Sequence, residues 1–201
     1  MKKRNTVLAV LLSASFLLTA CQNTTEPAAE NPTANTNSDT SGFENMKVRK
    51  LDGTETDMNS ILSNAELTVF NIWEPSCGSC QSEMEALAAL GDQYSGRGVQ
   101  IIGIIKGVTQ KRDEEALAVI SETGAHYIQL LDSEELEKMM PGLYEETPST
   151  VLYSRNKEQL GTVYAGARDE DYWGKEIEKY HSKVCENDHP ADCLLYTSRC
   201  V

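Results

Sequence analysis

Two cysteines lie two residues apart in the stretch NIWEPSCGSC, residues 71–80. Cys77 and Cys80 could staple the chain, supply half of a metal site, or work as a redox couple. A structural zinc takes four ligands, usually from two such pairs. The chain has no second C-x-x-C, and His126, His181 and His189 have no ligand spacing. Gln81 follows Cys80, which excludes the C-x-x-C-H of covalent haem attachment. Neither metal nor cofactor is expected. A staple between residues i and i+3 closes a very small loop and removes little unfolded-state entropy. The redox reading uses the placement as well as the spacing. Cys77 would sit just before a helix, facing free backbone N–H groups and the positive end of the helix dipole, both of which stabilise a thiolate. Cys80, one turn into the helix, is placed to resolve a mixed disulfide by forming Cys77–Cys80.

The elements that must hold this pair follow from the hydrophobic pattern. Strands are expected at 46–51, 66–73, 99–106, 127–132, 149–154 and 160–166. Helices are expected at 57–63, capped by Asp57; at 78–94, with Met84, Leu87, Ala88 and Gly91 on one face and Leu90 beside it; at 111–124, ended by Gly124; at 133–140, opened by a capping box from Ser133; and at 168–184. Residues 66–73 and 99–106 are mostly apolar, as strands covered on both faces are. Alternation of strand and helix requires crossover connections and a parallel core, and the last two strands add an antiparallel hairpin. The expected fold class is α/β, a central mixed sheet with helices on both faces. The cysteines then lie at the carboxyl end of the second strand, where open α/β sheets carry function.

The flanks are of a different kind. Lys2, Lys3 and Arg4 precede an apolar run at residues 7–18, shorter than a membrane span and of a length normal for an export signal. The run ends in LLTAC, residues 17–21, which resembles a bacterial lipobox and implies lipidation of Cys21. Residues 22–42 are rich in Asn, Thr, Ala, Glu and Pro and read as a disordered tether. The last nine residues, CLLYTSRCV, match a reading frame through a transposase adapter used in sequencing libraries, so 193–201 is expected to be a translated artefact. The expected organisation is a signal at 1–21, a tether at 22–42, one domain at 43–185 and a tail at 186–201. Of the six cysteines, setting aside Cys21, Cys193 and Cys200 leaves one close pair and Cys185. That is not a disulfide framework, and Cys185 is assigned no role. With 18 basic and 31 acidic residues the formal charge is −13, which argues against nucleic-acid binding and against adhesion to anionic headgroups.

The segment VFNIWEPSCGSCQSEM resembles the active-site stretch of the TlpA/ResA-like branch of the thioredoxin superfamily, and ETPST, residues 146–150, resembles that family's cis-proline loop. The resemblance spans about 43–184 and implies a thioredoxin-like fold. It implies that Cys77 attacks and Cys80 resolves, and that Thr147 and Pro148 form a cis peptide receiving substrate backbone beside Cys77. Trp73 matches the family's tryptophan and is assigned with Thr147 and Pro148 to substrate binding, packing beneath the motif; plain core is an equally good account of it. Glu83 matches the acidic residue the ResA-type branch places near its buried cysteine, where a carboxylate raises thiol pKa values and moves protons; an ordinary solvated helix carboxylate accounts for it equally well. Ser76 replaces the family's usual aromatic residue, Gly78-Ser79 replaces a pair that often ends in proline, and Asn71 stands where cytoplasmic thioredoxins carry a buried aspartate. These departures leave the reduction potential open.

The resemblance implies an enzyme, a thiol–disulfide oxidoreductase, lipid-anchored on the extracytoplasmic face of the cell membrane and monomeric. It would reduce disulfides in envelope proteins, of the methionine sulfoxide reductase or apocytochrome c kind, and draw electrons from a membrane donor of the CcdA/DsbD type. A disulfide-forming oxidase using the same cysteines and a non-catalytic peptide-binding module are the alternatives. A peroxidase would want a P-x-x-x-T/S-x-x-C approach to its cysteine, and Pro75 lies only two residues before Cys77.

Overall fold

Every residue of β3 (Leu67–Trp73) is buried, and the two faces of this one strand build separate cores. Side chains alternate across a strand. Phe70 and Ile72 therefore point to a cluster with Met58, Ile61, Leu62, Leu136 and Leu143, while Leu67 and Val69 point to Leu87, Leu90, Trp173 and Ile177. Trp73, at the end of the second face, joins Cys80, Met84 and Ile105 in a third cluster. The computed structural model describes residues 40–188. The expectations for Cys21, for the tether up to residue 39 and for Cys193 and Cys200 lie outside the described residues.

β3 is the middle of a five-stranded sheet of order β5-β4-β3-β6-β7. It runs parallel to β4 (Val99–Ile105), and β4 parallel to β5 (Ile128–Leu131). On the other side β6 (Ser149–Ser154) is antiparallel to β3, and β7 (Gln159–Ala165) closes the hairpin. The register sets Asn71 of β3 between Gly103 of β4 and Thr150 of β6. The helices α2 (Gly78–Gln93), α3 (Glu114–Thr123) and α5 (Glu170–Asp188) cover one face; α1 (Met58–Ser63) and α4 (Glu134–Met139) contribute to the other. The expected α/β mixed sheet with a parallel core and an antiparallel hairpin is the observed one.

Four details differ from the sequence reading. A short strand β2 (Glu55–Asp57) pairs antiparallel with β1 (Lys47–Arg49), and its polar residues gave no periodic signal. α3 begins after Asp113 rather than at Lys111: Arg112 has φ 56° and its N–H donates to the Leu51 carbonyl at 2.8 Å, so it cannot join the helix. Ser133 caps α4 by accepting from Leu136 N–H, but Leu136 occupies the third position, where a capping box needs Glu or Gln. On α2 the buried face includes Glu83, Ala86 and Leu90; Ala88 and Gly91 are only partly buried.

Candidate active site

Cys77 is the N-cap of α2, in extended backbone with φ −92° and ψ 99°. Its N–H donates to the Glu74 carbonyl at 3.0 Å, and its sulfur accepts from Cys80 N–H at 3.2 Å. That is the anion-favouring end of a helix, with a backbone donor already aimed at the sulfur. Cys77 and Cys80 are joined by a disulfide of 2.03 Å. The two sulfurs differ in access: Cys77 is half-buried and Cys80 is wholly buried. The Ser79 hydroxyl lies 3.5 Å from the Cys77 sulfur, which can only accept in the disulfide state. In such a pair the outer sulfur meets a partner and the inner one resolves, which is the chemistry of an oxidoreductase.

Opposite the cysteines, the Thr147–Pro148 peptide bond is cis, as the resemblance implied. The Thr147 carbonyl oxygen stands 3.9 Å from the Cys77 sulfur. Pro148 is buried, and its carbonyl accepts from Gly166 N–H at 2.8 Å, fixing the loop to the end of β7. The Thr147 hydroxyl donates to Glu74 Oε1 at 2.9 Å.

Beneath the disulfide lies a buried polar layer. Glu83, one turn after Cys80 on α2, has no exposed surface; the solvated-carboxylate account of it is excluded. Its Oε1 accepts from the Trp173 indole N–H at 2.8 Å and from Arg168 N–H at 3.1 Å, and its Oε2 accepts from the Asn71 amide at 2.8 Å. The same Asn71 amide donates to Thr150 Oγ1 at 2.9 Å. Burial pushes the Glu83 carboxyl above the ordinary 4.5, and the bonds from Trp173, Arg168 and Asn71 offset part of that rise. Burial, and then the charge of Glu83, holds the Tyr127 phenol well above its usual range.

Trp73, assigned to substrate binding, is wholly buried. Its indole N–H donates to Gln129 Oε1 at 2.9 Å, and the Gln129 amide donates to the Ala125 carbonyl at 3.0 Å. Trp73 therefore supports the motif from below and meets no substrate. Gln129 reaches it because Gly103, on the intervening strand, has no side chain: a Cβ there would fall on the Gln129 carboxamide. Cys185 lies on α5 with its sulfur 3.5 Å from His181 Nε2, on the opposite part of the sequence from the redox pair.

The sequence reading thus brought Cys77, Cys80, Glu83, Thr147 and Pro148 to one place, and missed Glu74, Lys106, Gln129, Arg168 and Trp173. Trp173 and Arg168 stand 90 and 85 residues from Glu83 in the chain, and no local pattern marks either as its partner.

No curated protein sequence matches the chain. Among solved structures it is similar to a secreted Mycobacterium tuberculosis disulfide oxidoreductase homologous to Escherichia coli DsbE, with 18% identity over 67% of this chain and 95% of that one and a TM-score of 0.52. It is similar to the thioredoxin domain of a thiol–disulfide oxidoreductase from Bacteroides vulgatus, at 18% identity over 67% and 91% with a TM-score of 0.54. It also resembles a thiol:disulfide interchange protein of the thioredoxin family from Chlorobium tepidum, at 15% identity over 68% and 92% with a TM-score of 0.55. These likenesses show a thioredoxin-like fold. The model of the AhpC/TSA family matches residues 41–157, more than half of the sequence, and the chain belongs to that family.

Proposed function

We propose that the chain is a thiol–disulfide oxidoreductase of the TlpA/ResA type, tethered by a lipid on Cys21 to the outer face of the cell membrane, that reduces disulfides in envelope proteins. The observation that carries the reading is the Cys77–Cys80 disulfide with unequal sulfurs: Cys77 reachable beside Thr147 and Pro148, Cys80 sealed above Glu83. In the reduced form the Cys77 thiolate attacks one sulfur of a partner's disulfide. A mixed disulfide forms and the partner's other sulfur leaves as a thiolate. Cys80 then gives up its proton and attacks the Cys77 sulfur. The Cys77–Cys80 bond forms, and the partner departs with both sulfurs reduced. A buried carboxylate held above its ordinary pKa, as Glu83 is, is better suited to taking that proton than an ordinary one. A membrane dithiol donor of the CcdA/DsbD type would return the two electrons.

The anchor is supported by the apolar run at 7–18 ending in LLTAC. The partners of choice are methionine sulfoxide reductase or apocytochrome c cysteines. Reduction of insulin by dithiothreitol-recycled protein tests the activity: turnover that vanishes in Cys77→Ser supports it, and turnover that survives overturns it. The equilibrium potential of the pair decides direction. A value near about −270 mV belongs to a reductant, and one near about −120 mV to a disulfide-forming oxidase.

A further inference from the structure

Glu74 is the first residue after β3 and lies between the strand and Cys77. It holds both halves of the site. Its main-chain carbonyl accepts the Cys77 N–H at 3.0 Å, and its side-chain Oε1 accepts the Thr147 hydroxyl at 2.9 Å. One residue therefore fixes the nucleophile through its backbone and the cis-proline loop through its carboxylate. Across that span the Thr147 carbonyl faces the Cys77 sulfur at 3.9 Å.

A second tie runs beside the first. Lys106, the residue after β4, has its ammonium 3.9 Å from the same Glu74 oxygen and donates to the Tyr144 carbonyl at 2.9 Å, three residues before Thr147. The Tyr144 hydroxyl continues to Asp132 Oδ1 at 3.0 Å, and Asp132 Oδ2 accepts Gly107 N–H at 2.7 Å. The ends of β3, β4 and β5 are thus each bonded toward the loop that carries Pro148. The Glu74 and Lys106 side chains are each about one-third exposed, at 36% and 32%. An ion pair so exposed adds little to stability, too little for stability alone to account for its position.

We propose that Glu74 is a positioning residue: its carboxylate, held between the Thr147 hydroxyl and the Lys106 ammonium, sets the separation between Cys77 and the cis-proline loop at which a partner's disulfide docks. This rests on the thiol–disulfide reading. The loop presents main-chain groups to an extended segment of the partner, so its placement governs protein disulfides more than small ones.

The test uses Glu74→Ala, Glu74→Gln and Thr147→Val in the recycled insulin assay. Glu74→Ala and Thr147→Val are each expected to raise KM for insulin about five- to tenfold, as loss of one partly exposed hydrogen bond does. In both variants KM for insulin should change more than kcat. Glu74→Gln keeps an acceptor for the Thr147 hydroxyl, so it should restore KM to within about twofold of wild type. The double variant Glu74→Ala/Thr147→Val should be no worse than the worse single one, because both remove one interaction. Wild-type KM in both Glu74→Ala and Thr147→Val, or losses that add in the double variant, overturn the proposal while the oxidoreductase reading stands. A wild type without Cys77-dependent turnover overturns both.

Discussion

Replacing Glu83 by glutamine in the oxidised protein separates the cost of burying its charge from the chemistry of the cysteines, which do not titrate while bonded to one another. Glu83 is wholly buried and its carboxyl is held above 4.5, burial being the larger cause. The folded protein therefore binds that proton more tightly than the unfolded chain. Stability falls as pH rises from about the unfolded value through the folded one, because over that window the native state carries more protons than the unfolded state. One proton limits the slope to about 1.4 kcal/mol per pH unit. Glutamine keeps a carbonyl to accept from Trp173 and Arg168 N–H, and the Asn71 amide can turn its oxygen, which has no partner among the described residues, toward the new amide. The variant should lack the slope. Urea unfolding of oxidised wild type and Glu83→Gln at half-unit steps from pH 4 to pH 8 measures the difference. Expected is a wild type that loses ground to the variant as pH rises and then runs parallel to it. A difference independent of pH, or a wild type that gains on the variant, would refute the account of Glu83 as a carboxylate whose charge is costly where it sits. In the reduced protein the same variant should slow release of a mixed disulfide, since general acid–base groups contribute about 10²–10⁴-fold to such steps.

Three further outcomes follow from the geometry. Cys80→Ser should accumulate a covalent complex between Cys77 and a disulfide substrate, visible as a mass increase that dithiothreitol removes, because the resolving sulfur is gone. Trp173→Phe removes a donor from the buried Glu83 Oε1 and should destabilise the protein by about 2 kcal/mol at neutral pH by denaturant titration, with a smaller loss below pH 4.5 where the carboxyl is neutral. Gly103→Ala places a methyl on the Gln129 carboxamide, breaks its bond to Trp73, and should cost about 2–3 kcal/mol of stability in the same titration; a loss under about 0.5 kcal/mol would contradict the packing described.

The catalytic half of the site was legible because it is local. Cys77 and Cys80 lie in one turn at a strand-to-helix junction, and apolar runs at 66–73 and 99–106 announce the parallel core. The supporting half was not. On the sequence Glu83 fits a buried acid and a solvated helix carboxylate equally well, and the groups that close round it, Asn71, Arg168 and Trp173, come from β3, the β7–α5 loop and α5. Trp73 illustrates the opposite failure. The resemblance assigns it to substrate binding while also placing it beneath the motif, and strand alternation turns it inward to Gln129 on β5. Glu74 carried no sequence signal, since what matters about it is a hydroxyl 73 residues away. β2 was invisible for a simpler reason: the three residues Glu55–Asp57 bury no apolar face.

The small hairpin of β1 and β2 has a consequence for how safely this domain can be crowded. β5 is an edge strand of the main sheet, and its sequence, IQLL, is the kind that recruits other chains by strand addition. The segment following β1 occupies that edge: Lys50 bridges to Leu130, and Leu51 N–H donates to the Gln129 carbonyl at 2.9 Å. A proteolytic cut between residues 51 and 57 would spare every cysteine and leave the five strands in place, yet free an edge at which two such molecules can zip together. Guarding that edge keeps a catalyst from becoming a seed for its own aggregation.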